Sequence, residues 1–258
     1  QCWTHTFGSL GSTTTRMVNL QSNLLKGDVS GTKLVAFWKH VRALKDPRLA
    51  SHDISQRPDW NRHACPACIH GDAVPCVSIG RAGTKSYNVY SMAGLLGSGC
   101  TLTRKMYLFG NFVDNEVSTE EHDFQHKVWT RTLWSLWFAY LGIWPTVDHK
   151  TNQPYTLGTP EAERAGKKLA DGHFLVVWSV LADLDHLAKA FGLAHYSSAF
   201  PCALCPASAD EKQPKTMLCN NFKSTAKWMT MIYTPPAWRR MNPEPHFFLF
   251  QLTYLTCV

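Results

Sequence analysis

Two acidic segments, widely separated in the sequence, have the residue types of a divalent-cation site. Asp72 comes shortly after the strand-like run 64–70, and Asp183 and Asp185 come directly after the apolar run 174–181. A strand that ends in a carboxylate brings it to the edge of a sheet, so two adjacent strands would bring two carboxylates together. In two-metal phosphoryl transfer, carboxylates hold Mg²⁺ or Mn²⁺ ions roughly 4 Å apart. The sequence therefore predicts a metal-dependent phosphoryl-transfer site.

The alternative interpretation of the later aspartates is structural. Asp is a preferred N-cap residue, because its carboxylate accepts hydrogen bonds from the first N–H groups of a helix. Asp183 and Asp185 precede a segment with helical spacing of apolar residues, so capping alone would account for either of them. Their combination with Asp72 is what favours a catalytic site.

A second group of candidate ligands contains sulfur. Cys202 and Cys205 have the Cys-x-x-Cys spacing of half a zinc site, and His195 and Cys219 could complete a tetrahedral set. Zinc sites of this kind ordinarily contain two paired half-sites, and only one is evident here. A structural Zn²⁺ site at these four residues is therefore a hypothesis that requires the fold to bring them together.

Cys65 and Cys68 have the same spacing but lie in the strand-like run 64–70. On an extended chain, side chains three positions apart point to opposite faces of the sheet and chelate poorly. Free cysteines are among the most buried residues, so these two are predicted to be core thiols. The alternative is a second zinc centre that adds His70 and Cys76 and displaces the strand.

The segment 222–240 interleaves cations with aromatic rings and contains no acidic residue. In nucleic-acid-binding grooves, cations contact phosphates and flat rings stack on bases. The alternative is a solvated basic surface above ordinary buried aromatics. The candidate nucleic-acid-binding residues are Lys223, Lys227, Trp228, Arg239 and Arg240.

Composition and charge are consistent with this chemistry. The chain has 258 residues, 45% of them hydrophobic, and a formal charge of +7, so it can bury a core and attract a phosphate-rich partner such as DNA. No signal peptide or membrane-spanning segment is predicted. Nine cysteines without a secretion signal indicate an intracellular, reducing location, which for a DNA-binding protein is the nucleus. The start without Met and the apolar run 247–255 near the end indicate a piece of a longer chain.

Hydrophobic spacing, turn residues and capping signals define the elements that must position these residues. An amphipathic helix comes first, and three strands with short connections then favour an antiparallel meander. A long helix follows, with Ser118 as N-cap and Glu121 as its capping-box partner, and a wholly apolar fourth strand should be covered on both faces. The predicted helices are 33–44, 118–142, 159–172 and 184–192, and the predicted strands are 64–70, 86–92, 105–113 and 174–181.

Three strands, a helix, a fourth strand and a helix form the element order of an α/β, ribonuclease-H-like fold with a mixed sheet. In that fold the first and fourth strands are adjacent and parallel, which would place Asp72 and Asp183 at neighbouring strand ends. The predicted organisation is an irregular N-terminal segment over 1–32, a ribonuclease-H-like core over 33–200, and a Cys-containing basic and aromatic insertion over 201–258.

Several segments carry a resemblance to a known family: 70–75 (His-Gly-Asp-Ala-Val-Pro), 86–91, the Trp-rich long helix, 183–185, 193–198 and 201–205. Over residues 35–250 the chain resembles the transposon-derived proteins abundant in dinoflagellate genomes, which in turn resemble DDE-type transposases with a ribonuclease-H-like core. The resemblance implies a transposase or integrase activity on DNA. It implies Asp72 as the first catalytic aspartate, Asp183 as the second, and Asp185 as a less favoured substitute for the second.

The resemblance also implies a third acidic residue on a later helix, and residues 207–258 contain no convincing candidate for it. Either the chain ends before this residue or the site is inactive. The alternative function is therefore a non-catalytic, zinc-stabilised nucleic-acid-binding or interaction module derived from a mobile element. Motifs for phosphate loops, serine-hydrolase elbows, zinc-protease helices and dinucleotide binding do not occur in the chain.

Overall fold

The computed structural model describes residues 31–46, 49, 52–76, 85–96, 105–113, 119–191, 193–195, 197–202 and 205–231. The predicted irregular segment 1–32 lies almost entirely outside these residues, and so do the predicted N-cap Ser118 and the helix-ending Gly192. The described part of the chain is an α/β structure with a four-stranded mixed sheet.

The sheet consists of β1 (Ala64–Cys76), β2 (Lys85–Gly94), β3 (Lys105–Val113) and β4 (Phe174–Leu181), in the order β3-β2-β1-β4. β2 pairs antiparallel with both β1 and β3, so the predicted meander is confirmed. β4 pairs in parallel with β1, as predicted for the first and fourth strands. The first five residues of β4 are all buried, so this strand is covered on both faces.

The parallel pairing of β1 with β4 contains a β-bulge. The register shifts between Ala67 and Cys68 of β1, and Trp178 is the extra residue on β4. A bulge leaves one residue out of the ladder and displaces the pairing of every residue after it. Because side chains alternate between the two faces of a sheet, the displacement also exchanges their faces. Beyond the bulge, His70 is level with Leu181.

The helices follow the predictions at most positions. α1 (Thr32–Ala43) corresponds to a predicted helix, whereas the short α2 (Trp60–His63) was not predicted. The long α3 (Thr119–Leu141) ends as predicted at Gly142, whose φ of 72° is a left-handed conformation that glycine adopts without steric cost. No helix in the described ranges is long and apolar enough to cross a bilayer.

The prediction of one helix over 159–172 is wrong in its extent. α4 covers only Pro160–Arg164, and the chain then turns at Gly166, whose φ is 72°. Beyond this turn the backbone pairs with another segment instead of with itself: the Trp144 N–H donates to the carbonyl oxygen of Lys167 at 2.9 Å. Tertiary hydrogen bonds therefore replace the helical ones.

The last predicted helix is confirmed as α5 (Leu184–Phe191), which directly follows β4. Its apolar residue Leu187 packs against the core. The 3₁₀ turns of the described residues cover Asp53–Gln56, Ala170–Gly172, Lys215–Met217 and Lys227–Thr230.

Tryptophan side chains from α1, α2 and β4 form a cluster in the core. Trp38 is 1% exposed, and its ring centroid lies 5.0 Å from that of Trp60 and 5.1 Å from that of Trp178, with the rings edge-to-face. The Trp38 indole N–H donates to the carbonyl oxygen of Ala64 at 2.7 Å. Edge-to-face pairs are worth about 0.5–1.5 kcal/mol beyond the area they bury. The residue that β4 leaves out of the ladder is therefore anchored in the core.

The end of α3 is tied to the segment before α2. The Tyr140 hydroxyl donates to Asp53 Oδ1, and the Arg57 guanidinium donates to the carbonyl oxygen of Tyr140 at 2.7 Å. Arg57 also lies 4.2 Å from the ring centroid of Tyr140 and 4.5 Å from that of Phe174. Burial raises the pKa of Asp53, but hydrogen bonds from Tyr140 and His52 and the Arg57 charge outweigh it, so the net pKa is lowered. These contacts hold α3 against the start of β4.

Tyr140→Phe should lower the free energy of unfolding by about 1 kcal/mol, because the Asp53 carboxylate loses a hydrogen-bond donor. For a chain of this size the thermal midpoint should fall by about 2–4 °C. Since the pKa of Asp53 is lowered on folding, the difference in the free energy of unfolding between variant and wild type should be largest at neutral pH. It should shrink as the pH falls below about 3.9, towards the folded-state pKa. Thermal unfolding followed by circular dichroism at neutral and acidic pH measures both effects.

Tyr155→Phe is the control for this variant, because it removes a hydroxyl from a half-buried tyrosine in a loop. Its stability should change by less than about 0.5 kcal/mol. Equal losses in the two variants, or a loss in Tyr140→Phe that does not depend on pH, would contradict the role assigned to the Asp53 hydrogen bond.

Candidate functional site

Asp72 and Asp183 lie at corresponding positions where the pairing of β1 with β4 ends. The predicted end of the first strand at residue 70 is wrong: β1 continues to Cys76, so Asp72 lies inside the strand, opposite Val89 of β2. The last residues that pair with each other in the two strands are His70 and Leu181, and each aspartate lies two residues further along its own segment. Both aspartate side chains are exposed. We call this region, defined by Asp72 and Asp183, the carboxylate edge.

The β-bulge decides this correspondence. If Trp178 were paired instead of bulged, the register would place Asp72 opposite Ala182 rather than opposite Asp183. The Asp183 side chain would then belong to the other face of the sheet. The sequence predicted that the two strands are neighbours. It gave no indication that Trp178 is a bulge residue, which is what places Asp72 and Asp183 at corresponding positions.

Asp183 is also the N-cap of α5. Its Oδ1 accepts a hydrogen bond from the His186 N–H at 2.6 Å, and its carbonyl oxygen accepts one from the Leu187 N–H at 2.9 Å. The structural interpretation of Asp183 is therefore confirmed. It does not exclude a ligand role, because the cap uses Oδ1 and the carboxylate has a second oxygen.

His186 packs against the backbone of Gly71, next to Asp72. The His186 residue is 4% exposed, and a Cβ on Gly71 would lie 2.6 Å from its Nε2 and 2.9 Å from its Cδ2. The ring centroid lies 5.4 Å from that of Tyr90. Only glycine leaves room for this approach, which explains a glycine inside β1. His186 thus connects the two elements that carry the aspartates.

The sequence analysis did not identify His186 as a site residue. The available signal was the isolated Gly71 between His70 and Asp72, because a glycine inside a strand indicates a bulge or a close approach of another group. That signal marks the position of a contact but not the residue that makes it.

The pKa of His186 is lowered, and burial is the largest cause. The charges of Asp183, Asp72 and Asp185 act in the opposite direction, and that of His70 acts in the same direction as burial. The His186 ring is therefore neutral at neutral pH. These charges therefore lie close enough to His186 to act on its pKa.

Asp185 and His195 face each other in this region. His195 Nε2 lies 3.7 Å from Asp185 Oδ1, and His195 Nδ1 lies 2.6 Å from the Ser197 hydroxyl oxygen. The Ser197 N–H also donates to Nδ1 at 3.2 Å. The ring nitrogens of the predicted zinc ligand His195 thus lie near Asp185 and Ser197 in this structure.

Cys202 and Cys205 lie together, with their thiols hydrogen-bonded. Burial raises the pKa of Cys205 to about 11; the hydrogen bond with Cys202 adds to this rise, and the Ala207 N–H opposes it. The Cys219 N–H donates to the carbonyl oxygen of Ser208 at 2.8 Å. Within the described residues, no group of three or more His, Cys, Asp or Glu side chains is placed to hold a metal ion. The four-residue zinc set therefore stays a prediction, of which the structure brings two members together.

The interpretation of Cys65 and Cys68 as core thiols is confirmed. They are 4% and 7% exposed, and burial raises the pKa of Cys65 to about 12. β1 runs without interruption through both cysteines to His70 and beyond, whereas the alternative zinc centre would have displaced the strand.

The structure describes part of the predicted basic segment. Lys223 and Lys227 are exposed, and Trp228 is half-buried, with its indole N–H donating to the carbonyl oxygen of Asn221 at 3.2 Å. Arg239 and Arg240 lie outside the described residues. The two lysines can therefore contact phosphate, and the tryptophan is partly used in holding its own loop.

Gly71→Ala should destabilise the fold by about 1–3 kcal/mol, because the new methyl group would overlap the His186 ring and one of the two must move. The double variant Gly71→Ala/His186→Ala should be less destabilised than the sum of the single variants, since the removed imidazole leaves room for the methyl group. Urea unfolding of the four proteins of this cycle measures the coupling. Strictly additive losses would contradict the direct contact.

No family model, curated protein or solved structure matches the chain. The resemblance to transposon-derived proteins consequently stays a prediction from the sequence motifs. The features of the chain that can support a function are the carboxylate edge, the Cys202 and Cys205 pair, and the basic segment.

Proposed function

We propose that this chain is a transposase- or integrase-like protein with a ribonuclease-H-like sheet, which cleaves or transfers DNA strands with Mg²⁺ or Mn²⁺ bound at Asp72 and Asp183. One observation carries the proposal: β1 and β4 are adjacent and parallel, and an exposed aspartate lies two residues beyond their last paired residues on each segment, Asp72 within β1 and Asp183 just after β4. The sheet order β3-β2-β1-β4 supports the fold assignment, because it matches the order expected for that fold. Such a protein would act in the nucleus.

The donor atoms of the carboxylate edge suit a hard divalent cation. Mg²⁺ prefers oxygen ligands and is commonly bound by one or two carboxylates, with water and substrate phosphates completing its shell. Asp72 and the oxygen of Asp183 not engaged by the His186 N–H would supply these carboxylates. A bound cation at such a site stabilises charge on phosphoryl oxygens and lowers the pKa of water.

The protein's own contribution would be positioning. Asp72 is carried by a strand that is paired on one side with β2, and Asp183 is held by its cap hydrogen bond to α5. The neutral His186 ring separates the two elements without adding a positive charge that would compete with a cation. The formal charge of +7 supports attraction of DNA to the chain as a whole.

The second candidate function is a non-catalytic, zinc-stabilised module that binds nucleic acid or another partner. The observation that favours it is the contact between the Cys202 and Cys205 thiols, together with the Ala207 N–H directed at the Cys205 sulfur. Zinc binds deprotonated thiols, so binding would displace protons from this pair, including that of Cys205, whose pKa burial otherwise raises. His195 and Cys219 would need to move towards this pair to complete the predicted set.

Asp72→Asn and Asp183→Asn should each remove Mn²⁺ binding, because each replaces a charged oxygen ligand with a neutral amide. Electron paramagnetic resonance of free Mn²⁺ in the presence of protein measures the bound fraction. Mn²⁺-dependent nicking of supercoiled plasmid by the wild type should be lost in the same variants. Asp171→Asn is the matched control, since Asp171 is exposed, lies outside the carboxylate edge and has a left-handed φ of 53° that Asn also adopts. Wild-type protein that binds no Mn²⁺, or binding that survives both substitutions, would rule out the cation site.

Cys202→Ser/Cys205→Ser should abolish stoichiometric zinc, measured by elemental analysis of protein purified in zinc-containing medium. Cys219→Ser should lower zinc affinity if the third ligand is the predicted one, because a hydroxyl is a much weaker zinc ligand than a thiolate. If zinc binding is lost in the cysteine variant while Mn²⁺ binding is unchanged in the Asp72 and Asp183 variants, the binding module is favoured over the enzyme. Zinc-free wild-type protein would exclude the zinc-stabilised candidate.

A further inference from the structure

Phe222 has a large apolar side chain that is exposed to solvent. It is 74% exposed, although a phenylalanine gains about 1.5–3 kcal/mol when it is buried. Its ring centroid lies 6.0 Å from that of Trp228, with an interplanar angle of 78°, so the contact is edge-to-face. This contact positions the ring while most of its surface remains in contact with solvent.

The backbone on both sides of Phe222 is ordered by hydrogen bonds centred on Asn221. The Asn221 side-chain amide donates to the carbonyl oxygen of Lys215 at 2.9 Å, and its Oδ1 accepts from the Lys223 N–H at 3.1 Å. The carbonyl oxygen of Asn221 accepts from the Trp228 indole at 3.2 Å. The exposed ring therefore belongs to a loop whose backbone is held by hydrogen bonds, so the loop loses little conformational entropy when a partner binds.

The described residues that follow Glu211 and include this ring carry charge of one sign in the sequence. The stretch from Lys212 to Met231 contains four lysines and no acidic residue, and all four lysine side chains are exposed. Lys223 directly follows Phe222, and Lys227 directly precedes Trp228, so both cations lie between the two aromatic residues in the sequence. An exposed ring adjacent to exposed cations in the chain suits a ligand with flat faces and phosphates.

We infer that Phe222, Lys223, Lys227 and Trp228, here called the Phe222 surface, bind single-stranded nucleic acid, with an unpaired base stacked on Phe222 and phosphates beside the two lysines. The choice of partner rests on the proposed function in nucleic-acid processing. The inference names the form of the substrate that this protein would hold.

Two features favour a single strand over a duplex. The bases of a duplex stack on one another, so only an unpaired base offers a face to Phe222. Duplex DNA is most often read by a helix or a β-ribbon in the major groove. The described residues 205–231 contain the 3₁₀ turns Lys215–Met217 and Lys227–Thr230 and an isolated bridge between Ser208 and Leu218, but no α-helix or β-ribbon.

Binding of a fluorescent oligothymidylate, measured by anisotropy at low salt in EDTA, tests the inference. Phe222→Ala should weaken binding at least about fivefold, the lower limit for loss of one base–aromatic stack. Phe222→Trp should retain binding, because it keeps a flat ring. Leu157→Ala is the matched control, since Leu157 is 94% exposed in a different loop, and it should bind as the wild type does. Unchanged affinity in Phe222→Ala would overturn the inference.

The lysines give an independent readout through salt. Lys223→Ala/Lys227→Ala should reduce the slope of log affinity against log salt by about 1.4, because each phosphate contact to a single strand contributes about 0.7. The control Lys150→Ala/Lys167→Ala removes two exposed lysines elsewhere and should leave the slope unchanged. Equal slopes in the two double variants would overturn the role of this surface.

Two further measurements separate the outcomes. A duplex of the same length, or anionic lipid vesicles, should bind more weakly than the single strand; tighter binding of either, lost in Phe222→Ala, would assign the surface to that partner and overturn the inference. Mn²⁺ binding by the wild type is measured separately, by electron paramagnetic resonance. Failure of the Phe222 test with intact Mn²⁺ binding thus rejects only the inference, and the reverse result rejects only the proposed enzyme.

Discussion

The candidate site depends on the parallel ladder between β1 and β4. Parallel neighbours cannot be joined by a tight turn, so β2, β3 and α3 are inserted between them in the sequence. The pairing is stabilised by burial: the first five residues of β4 are inaccessible, and its bulged Trp178 packs on Trp38. Hydrophobic packing in the centre of the molecule therefore also sets which polar residues meet at the edge of the sheet.

At the carboxylate edge, Asp183 has a structural role as a helix cap and a proposed role as a metal ligand. Asp183 is the N-cap of α5 and also lies at the position that corresponds to Asp72 of β1. The carboxylates of Asp72 and Asp183 carry like charges, and their exposure reduces the cost of placing them near each other because water and salt screen the charges. His186 is too deeply buried to provide a counter-charge at neutral pH. An incoming cation would meet carboxylates whose repulsion the protein has not neutralised internally.

Hydrophobic spacing predicted the strands and most helices because each element buries a regular face, and the element order then predicted that β1 and β4 are neighbours. The bulge could not be predicted, since a wholly apolar strand such as β4 has no alternation in which a slip would be visible. The early end of α4 depends on backbone hydrogen bonds to a distant segment. His195 was grouped with the cysteines by residue type, whereas its short contact is with Ser197, next but one in the chain. Residue types and spacing alone do not indicate that the chain turns between His195 and Ser197.

The bulge at Trp178 also limits how the gene for this segment can change. Between Phe174 and Asp183, a substitution alters one side chain and leaves the other positions in place. Loss or gain of a single codon would instead move every later residue to the opposite face of the sheet. The length of this stretch is therefore under a stricter constraint than its composition, and in-frame insertions or deletions there would be more damaging than most missense changes.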